Sequence, residues 1–318
     1  MQSLRERLCE RASLLGVDLT DREIDNALRD LGRWLPKGLS SSDVLKTEDG
    51  SYTLMSEEYG EPYHSVTAGA LTEALEKFFK PSLLVEVAAK AERVTLLDIG
   101  FGLGYNAAVA VHELRKINKR LNIEILALDK RLPDAIPSLP EPYTKTHSSL
   151  LGMLPAGERE GVSLKLLEGD FRETLRKVVG FRADAVFHDP FSPYRNPEAW
   201  SLELLSLIRP LMKEEGAWVS YTSSLPVRRS LIELGFNVGS TPPVGRRRGG
   251  TVASLKRAFR LGEEERSKLM DSPYSTPFRD PGLELEPVDI LIDYRISVLL
   301  RERALSSGGR RGLSRTPS

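Results

Sequence analysis

From Val94 onward the chain repeats one pattern, a short apolar run followed by a stretch with helical spacing. The runs are VTLLDIG (94–100), IEILALD (123–129), VSLKLLEGD (162–170), ADAVFHDP (183–190) and GAWVSYTS (216–223). Between most of them lie helical segments: Asn106 to Lys119, 172–179, 197–213 and 226–234. A strand that is apolar at successive positions must bury both of its faces. Strands of that kind alternating with helices predict an α/β fold, a parallel sheet covered by helices on both sides. FNVGSTPP (236–243) and GTVASLK (250–256) read as two closing strands that pair antiparallel if joined as a hairpin.

The flanking segments differ in texture. Residues 1–42 read as a small helical region, with Leu4, Leu8, Leu14, Leu15 and then Ile24, Leu28, Leu31 at helical spacing, and Thr20 with Glu23 as a capping box. The sheet domain spans 43–257. It opens with a β-hairpin whose two-residue turn is Asp49-Gly50, then a helix over 69–80 ended by Pro81. Residues 258–304 form a charged extension ending in a helix over 288–303. The basic tail, 305–318, has no apolar periodicity and is expected to be disordered.

Composition narrows the function. No apolar stretch approaches 18 residues, so no membrane span is expected. The N-terminus lacks the apolar core of a secretory signal, and Cys9 is the single cysteine. These features point to a cytoplasmic protein without a disulfide framework or a cysteine-rich metal site. The net charge is zero but uneven: between Leu225 and Arg260 there are eight basic residues and one acidic. A nucleic-acid partner is therefore compatible with the balance.

The first run leads directly into Asp98-Ile99-Gly100-Phe101-Gly102-Leu103-Gly104. A glycine turn between a first strand and a helix lets a ligand approach the backbone. The spacing is G-x-G-x-G, not the G-x-G-x-x-G of dinucleotide sites, and Asp98 stands two positions before the first glycine. S-adenosylmethionine (SAM), which has no pyrophosphate, suits that variant. Asp129 ends the second strand, where an acid can accept hydrogen bonds from ribose hydroxyls. Gly169-Asp170-Phe171 ends the third, where an acceptor beside a ring suits adenine. A single acid at a strand end is as often a helix cap as a ligand. Acids at successive carboxyl ends favour a ligand.

Asp189-Pro190-Phe191-Ser192-Pro193 ends the fourth strand. It resembles the D/N-P-P-aromatic motif of methyltransferases that act on amino nitrogens. There an acceptor pair holds the N–H groups while a ring packs on a planar base. A carboxylate of ordinary pKa near 4 cannot strip an alkyl ammonium efficiently. Asp189 is expected to orient the neutral amine and stabilise the charge that develops on nitrogen. His188 points to the opposite face of the strand and reads as structural. His64 is balanced between structure and substrate contact.

DGSYTLMSEEYGEPYHSVTAGALTEA (49–74), DIGFGLGYN (98–106), DPFSPYRNPEAW (189–200), TSSLPVRRSLIELGF (222–236) and VGRRRG (244–249) occur in order. Together they resemble the methyltransferase domain of the MnmC-type tRNA wobble-uridine enzymes, over roughly residues 45–256. The resemblance implies a Rossmann-like fold. It also implies SAM-dependent methylation of 5-aminomethyl-(2-thio)uridine at position 34, in the tRNA anticodon loop, to 5-methylaminomethyl-(2-thio)uridine. Carried over by position, Gly100, Gly102, Gly104, Asn106, Asp129, Asp170 and Phe171 line the cofactor, and Glu73 touches its amino group. Asp189 and Phe191 face the uracil substituent. The family often has D-G-F-A-P at this turn; here Pro190 and Ser192 replace the glycine and alanine. The FAD-dependent oxidase domain of the two-domain form has no counterpart in these residues. The expectation is methylation alone, on substrate supplied by a separate oxidase or another aminomethyl-forming enzyme.

Two other readings remain. A small-molecule aminopropyl- or methyltransferase of the same fold would need additional carboxylates to hold a polyamine and no basic rim. An RNA-binding module with a relic cofactor fold would not need the acids at four strand ends. The run Arg246-Arg247-Arg248, helped by Arg228 and Arg229, is expected to meet tRNA phosphates.

Overall fold

The computed structural model describes residues 2–36, 43–245 and 248–309. Among these, ten strands form two sheets. A small hairpin pairs β1 (Val44–Lys46) with β2 (Tyr52–Leu54). The main sheet contains β3 (Arg93–Ile99), β4 (Asn122–Asp129), β5 (Ala156–Arg159), β6 (Val162–Glu168), β7 (Ala183–His188), β8 (Met212–Ser220), β9 (Asn237–Ser240) and β10 (Thr251–Ser254). Its order is β5-β6-β4-β3-β7-β8-β10-β9. The five central strands, β6 to β8, are parallel, and β10 closes antiparallel to both β8 and β9, as the two closing runs predicted.

Both faces of the sheet are apolar because alternate residues of one strand enter different cores. Leu97 and Ile99 of β3 join one core, with the N-terminal helices, the helix Leu202–Ile208 and the C-terminal helix. Val94 and Leu96 join the other, with Phe78, Phe79 and the helix Tyr105–Ile117. From β3 the chain winds outward through β4 to β6, then returns to the other side of β3 with β7 and β8. The strand order thus reverses beside β3, where open α/β sheets bind ligands at their carboxyl ends.

Several elements differ from the sequence expectation. The hairpin turn is longer than two residues: Lys46 pairs with Tyr52, the Thr47 amide donates to Ser51 O, and Gly50 is left-handed at φ 82°. The segment 69–80 is not one α-helix. It runs as an α-turn (Ala70–Glu73), a π-helical turn (Ala74–Phe79) and a 3-10 turn (Lys80–Ser82). The expected helix 197–213 is interrupted because Pro210 lacks an amide hydrogen; Leu202–Ile208 is helical and Met212 already begins β8. The antiparallel edge strand β5 and the helix Thr144–Leu151 carried no recognisable pattern.

The two ends of the chain pack together. The helices Leu4–Leu14 and Asp21–Trp34, each with a capping box, lie against the C-terminal helix Pro287–Gly309. Ion pairs Arg7–Asp289 (2.6 Å), Arg11–Asp293, Arg295–Asp30 (2.9 Å) and Arg303–Glu23 (2.7 Å) stitch the seam. This helix continues to Gly309, so residues 305–309 are not the irregular tail expected; the rest of that tail lies outside the described residues. Trp34 stacks on Tyr194 at 4.9 Å, and Arg195 donates to Trp34 O at 2.8 Å. The N-terminal helices therefore brace the segment that follows Asp189.

Candidate active site

A cavity of about 480 Å³ opens at the carboxyl edge of the sheet, beside β3. Its wall includes Gly100, Gly102, Asp129, Phe171, Asp189 and Phe191, residues from four successive strand ends, together with His64 and Glu73.

The glycines are required by close approach. Gly100 has φ 83°, and a Cβ there would lie 2.7 Å from the Asp189 carbonyl carbon. Gly102 has φ 52°, and its Cβ would sit 3.0 Å from the Tyr63 ring. The Asp189 amide donates to Ile99 O at 2.8 Å, so the glycine turn and the Asp189 turn are tied edge to edge.

Each acid has its own environment. Asp129 accepts from the Gly102 amide (2.7 Å) and the Arg131 amide (3.0 Å). Burial pushes it up to about 6, against the pull of these amides. Asp98 is fully buried beneath the loop, and neither carboxylate oxygen has a partner among the described residues. Burial, then the Asp129 charge, pushes it well above the usual carboxylate range. Glu73 behaves oppositely. Burial opposes its charge, but His64, Lys77 and the Ser65 amide outweigh that and hold it at about 2. Its closest partners are the Ser65 amide (2.8 Å) and the buried Lys77 ammonium (3.1 Å); His64 Nδ1 stands at 3.8 Å, beyond a hydrogen bond. The π-turn in 74–79 carries Lys77, a placement that recurs where helices carry functional groups.

Asp189 lines the cavity. Its Oδ2 accepts from Asn106 Nδ2 at 2.7 Å. Burial, and then the charge of Glu73, push its pKa well above the usual carboxylate range; Asn106 and Lys77 pull it back. A carboxylate of ordinary pKa, near 4, was expected at this turn. Half-buried at the cavity wall, Asp189 is a better proton acceptor than an ordinary carboxylate.

Other expected residues fall elsewhere. Gly104 is the left-handed cap of the helix Tyr105–Ile117. Asp170 is outside the cavity wall. It caps the helix Phe171–Arg176 through the Arg172 amide (2.8 Å) and pairs with the Arg172 guanidinium (2.7 Å), itself bound to the buried Asp280 (3.0 Å). His188 is structural, its Nε2 2.9 Å from Ala199 O, and burial pushes it down to about 3. Arg228 does not reach the surface. It is buried and donates to Thr251, Ser240, Gly250 O and Glu265. Arg229 pairs with Glu233 one turn away. Arg248 is exposed and lines a second groove that shares Ser192 and Tyr221 with the cavity; Arg246 and Arg247 lie outside the described residues.

Of the opposite wall of the cavity, only His64 and Glu73 were anticipated. The segment after β2 brings Tyr59, Glu61 and Tyr63 over the Asp189 turn. Tyr59 stacks on Phe191 at 4.4 Å and Tyr63 meets its edge at 5.0 Å. Glu61 accepts from the Ser192 amide (3.0 Å) and hydroxyl (2.6 Å). The only sequence signal was the density of aromatics in EEYGEPYH.

A sequence model of SAM-dependent methyltransferases matches residues 140–256. The crystal structure of MnmC2 from Aquifex aeolicus superposes with a TM-score of 0.89 at 47% identity, covering 93% of this chain and 98% of that one. The chain belongs to the MnmC-type methyltransferase family. An uncharacterized protein of Methanocaldococcus jannaschii is 32% identical over 280 residues, 83% of this chain and 75% of its own length. The bifunctional tRNA 5-methylaminomethyl-2-thiouridine biosynthesis protein MnmC of Paraburkholderia phymatum is 30% identical over 225 residues, 65% of this chain. The chain spans only 34% of that relative's length. Like its family, this MnmC-type chain is a SAM-dependent methyltransferase. The open glycine cradle and the unpartnered Asp98 beneath it suit a ligand of that chemistry. Among the described residues no helix is long and apolar enough to cross a membrane.

Proposed function

We propose that the chain transfers a methyl group from SAM to the amino nitrogen of 5-aminomethyl-(2-thio)uridine at the tRNA wobble position, giving 5-methylaminomethyl-(2-thio)uridine. The observation that carries this reading is the junction of two surfaces in one cavity. A glycine cradle with Asp129 lies against a carboxylate, Asp189, flanked by the rings of Phe191, Tyr59 and Tyr63. SAM supplies an electrophilic methyl group. The carboxylate accepts N–H from an amine, and the rings suit a planar base. Gly100, Gly102 and Asp129 hold SAM in this reading, over Asp98 and beside Phe171, with Glu73 toward its amino group. The wobble base leaves the anticodon stack to reach the cavity, as chemistry on a base substituent requires.

The small-molecule alternative loses support from the same cavity. A polyamine needs carboxylates beyond Asp129 and Asp189, yet Glu61 is bonded to Ser192 and Glu58 is paired with Lys130. The likeness to a tRNA 5-methylaminomethyl-2-thiouridine biosynthesis protein supports the tRNA substrate, and Arg248 beside the cavity suits a phosphate. In this reading the acceptor already carries its aminomethyl group, the product of a preceding reaction. The test is mass spectrometry of bulk tRNA carrying that group, incubated with protein and SAM. Gain of one methyl on nucleotide 34 is expected. Methylation elsewhere, or turnover of a polyamine with no RNA product, would overturn the reading.

A further inference from the structure

We propose that Asn106 is a positioning residue for methyl transfer, holding the Asp189 carboxylate so that one oxygen is tied down and the other faces the substrate amine. The inference rests on the reading of Asp189 given above and adds a second residue to it.

The geometry is specific. Asn106 sits in the first turn of the helix Tyr105–Ile117 and is 2% exposed. Its Nδ2 donates to Asp189 Oδ2 at 2.7 Å, the length of a charge-assisted bond. Asp189 Oδ1 has no protein partner among the described residues, and the residue lines the cavity. Asn106 Oδ1 is buried without a partner. An amide placed for packing alone would not leave an acceptor orphaned in a core, because that costs free energy. The site is otherwise hostile to a carboxylate. Glu73 from the preceding α-turn and Asp98 from β3 oppose its charge and Lys77 from the π-turn favours it; the cavity wall adds His64, Asp129, Glu58, Glu61, Lys130 and Arg131, with the phenols of Tyr59, Tyr63 and Tyr221. Asn106 is the one neutral donor bonded to it among the described residues.

In the reaction the amine lone pair forms the N–C bond while the C–S bond breaks and its electron pair stays on sulfur. Nitrogen becomes a secondary ammonium, whose N–H is directed at Asp189 Oδ1. Loss of the Asn106 donor frees the carboxylate to rotate and favours its protonated form.

The experiment combines Asn106→Leu, Asp189→Ala and the double variant, with calorimetry of SAM binding and thermal melting as checks on folding. Single-turnover transfer to bulk tRNA is followed against pH. Asn106→Leu should lower the rate at neutral pH about tenfold and move the acid limb upward by about one to two pH units. In the Asp189→Ala background it should change nothing further. Infrared spectroscopy of the protein alone gives a readout without substrate. The carboxylic-acid band that Asp189→Asn removes should titrate at higher pH in Asn106→Leu. Should Asp189→Ala itself leave transfer intact, the underlying reading fails. Should Asp189→Ala abolish transfer while Asn106→Leu leaves rate, pH profile and infrared titration unchanged, this inference alone fails. Additive losses in the double variant would assign Asn106 a role independent of Asp189.

Discussion

The carboxyl ends of β4 and β6 share one sequence signature, an apolar run closing on an aspartate, and the structure uses them differently. Asp129 faces the cavity, its carboxylate gripped only by the backbone amides of its own turn and of the glycine loop. Asp170 turns away, capping a helix and clamped by Arg172. What separates them is a cation within reach. Arg172 follows Asp170 by two residues and is pinned in place by Asp280, buried in the C-terminal segment. No side-chain cation pairs with Asp129 among the described residues, so its oxygens remain available for ligand hydroxyls. An acid at a strand end becomes a ligand candidate when its neighbours donate amides and not guanidinium groups. Asp189, at the end of β7, belongs with Asp129 by this criterion, since its bonded neighbour is a neutral amide.

The contrast is broken most severely at Asp189. Asp189→Ala should slow single-turnover methyl transfer by about a hundredfold or more, the scale of a lost charge-stabilising group. SAM and tRNA should still bind. Asp189→Asn should retain part of the rate, because its amide oxygen can accept an N–H. A wild-type rate in Asp189→Ala would remove the β7 turn from the catalytic centre.

Asp129 should come next. Ribose hydroxyls donating to it form charge-assisted bonds worth about 1.5–3 kcal/mol each. Asp129→Ala should therefore weaken SAM binding tenfold or more by calorimetry. The pH dependence carries a definite sign. Burial pushes Asp129 up to about 6, so below that pH an increasing share is protonated and accepts poorly. SAM affinity should rise as pH increases toward 6, level off above it, and be accompanied by proton release near pH 6. Asp129→Asn should flatten this profile. An unchanged profile in that variant would transfer the titration to Asp98 or Asp189.

The legible parts of the site were those built locally. The glycine loop, Asp129 and the Asp189-Pro190-Phe191 turn each lie within a few residues of a strand end, and the strand pattern placed them on one edge. The illegible parts depend on contacts across the chain. Tyr59 meets Phe191, and Glu61 meets Ser192, across 131 residues or so of intervening sequence. Arg228 showed the opposite failure. It belongs to a basic stretch, yet its guanidinium is enclosed by Thr251, Ser240 and Glu265 from elements that follow it. Charge counted along a sequence does not separate a buried strut from an exposed Arg248. The same limit applied to 69–80, where tertiary packing of Phe78, Phe79 and Lys77 imposes a π-turn on residues with ordinary helical spacing.

The gentlest test of the comparison is Asp170. If its carboxylate serves the fold and not the cofactor, Asp170→Ala should leave SAM affinity within about twofold while costing stability. A lost N-cap is worth about 1 kcal/mol, read as a lower urea midpoint with an unchanged slope. Arg172 would keep Asp280 and the Leu285 carbonyl, so no guanidinium is left without partners and the loss should stay near that figure. Asp170→Ser restores a capping oxygen without the ion pair and should recover most of the stability. The Arg172 bonds outweigh burial and hold Asp170 below its ordinary pKa, so its contribution is present at neutral pH and fades as pH falls. The stability difference between wild type and Asp170→Ala should accordingly narrow in acid. A tenfold loss of SAM affinity in Asp170→Ala, with stability intact, would return Asp170 to the cofactor wall. It would also show that a guanidinium neighbour does not disqualify a strand-end acid from binding a ligand.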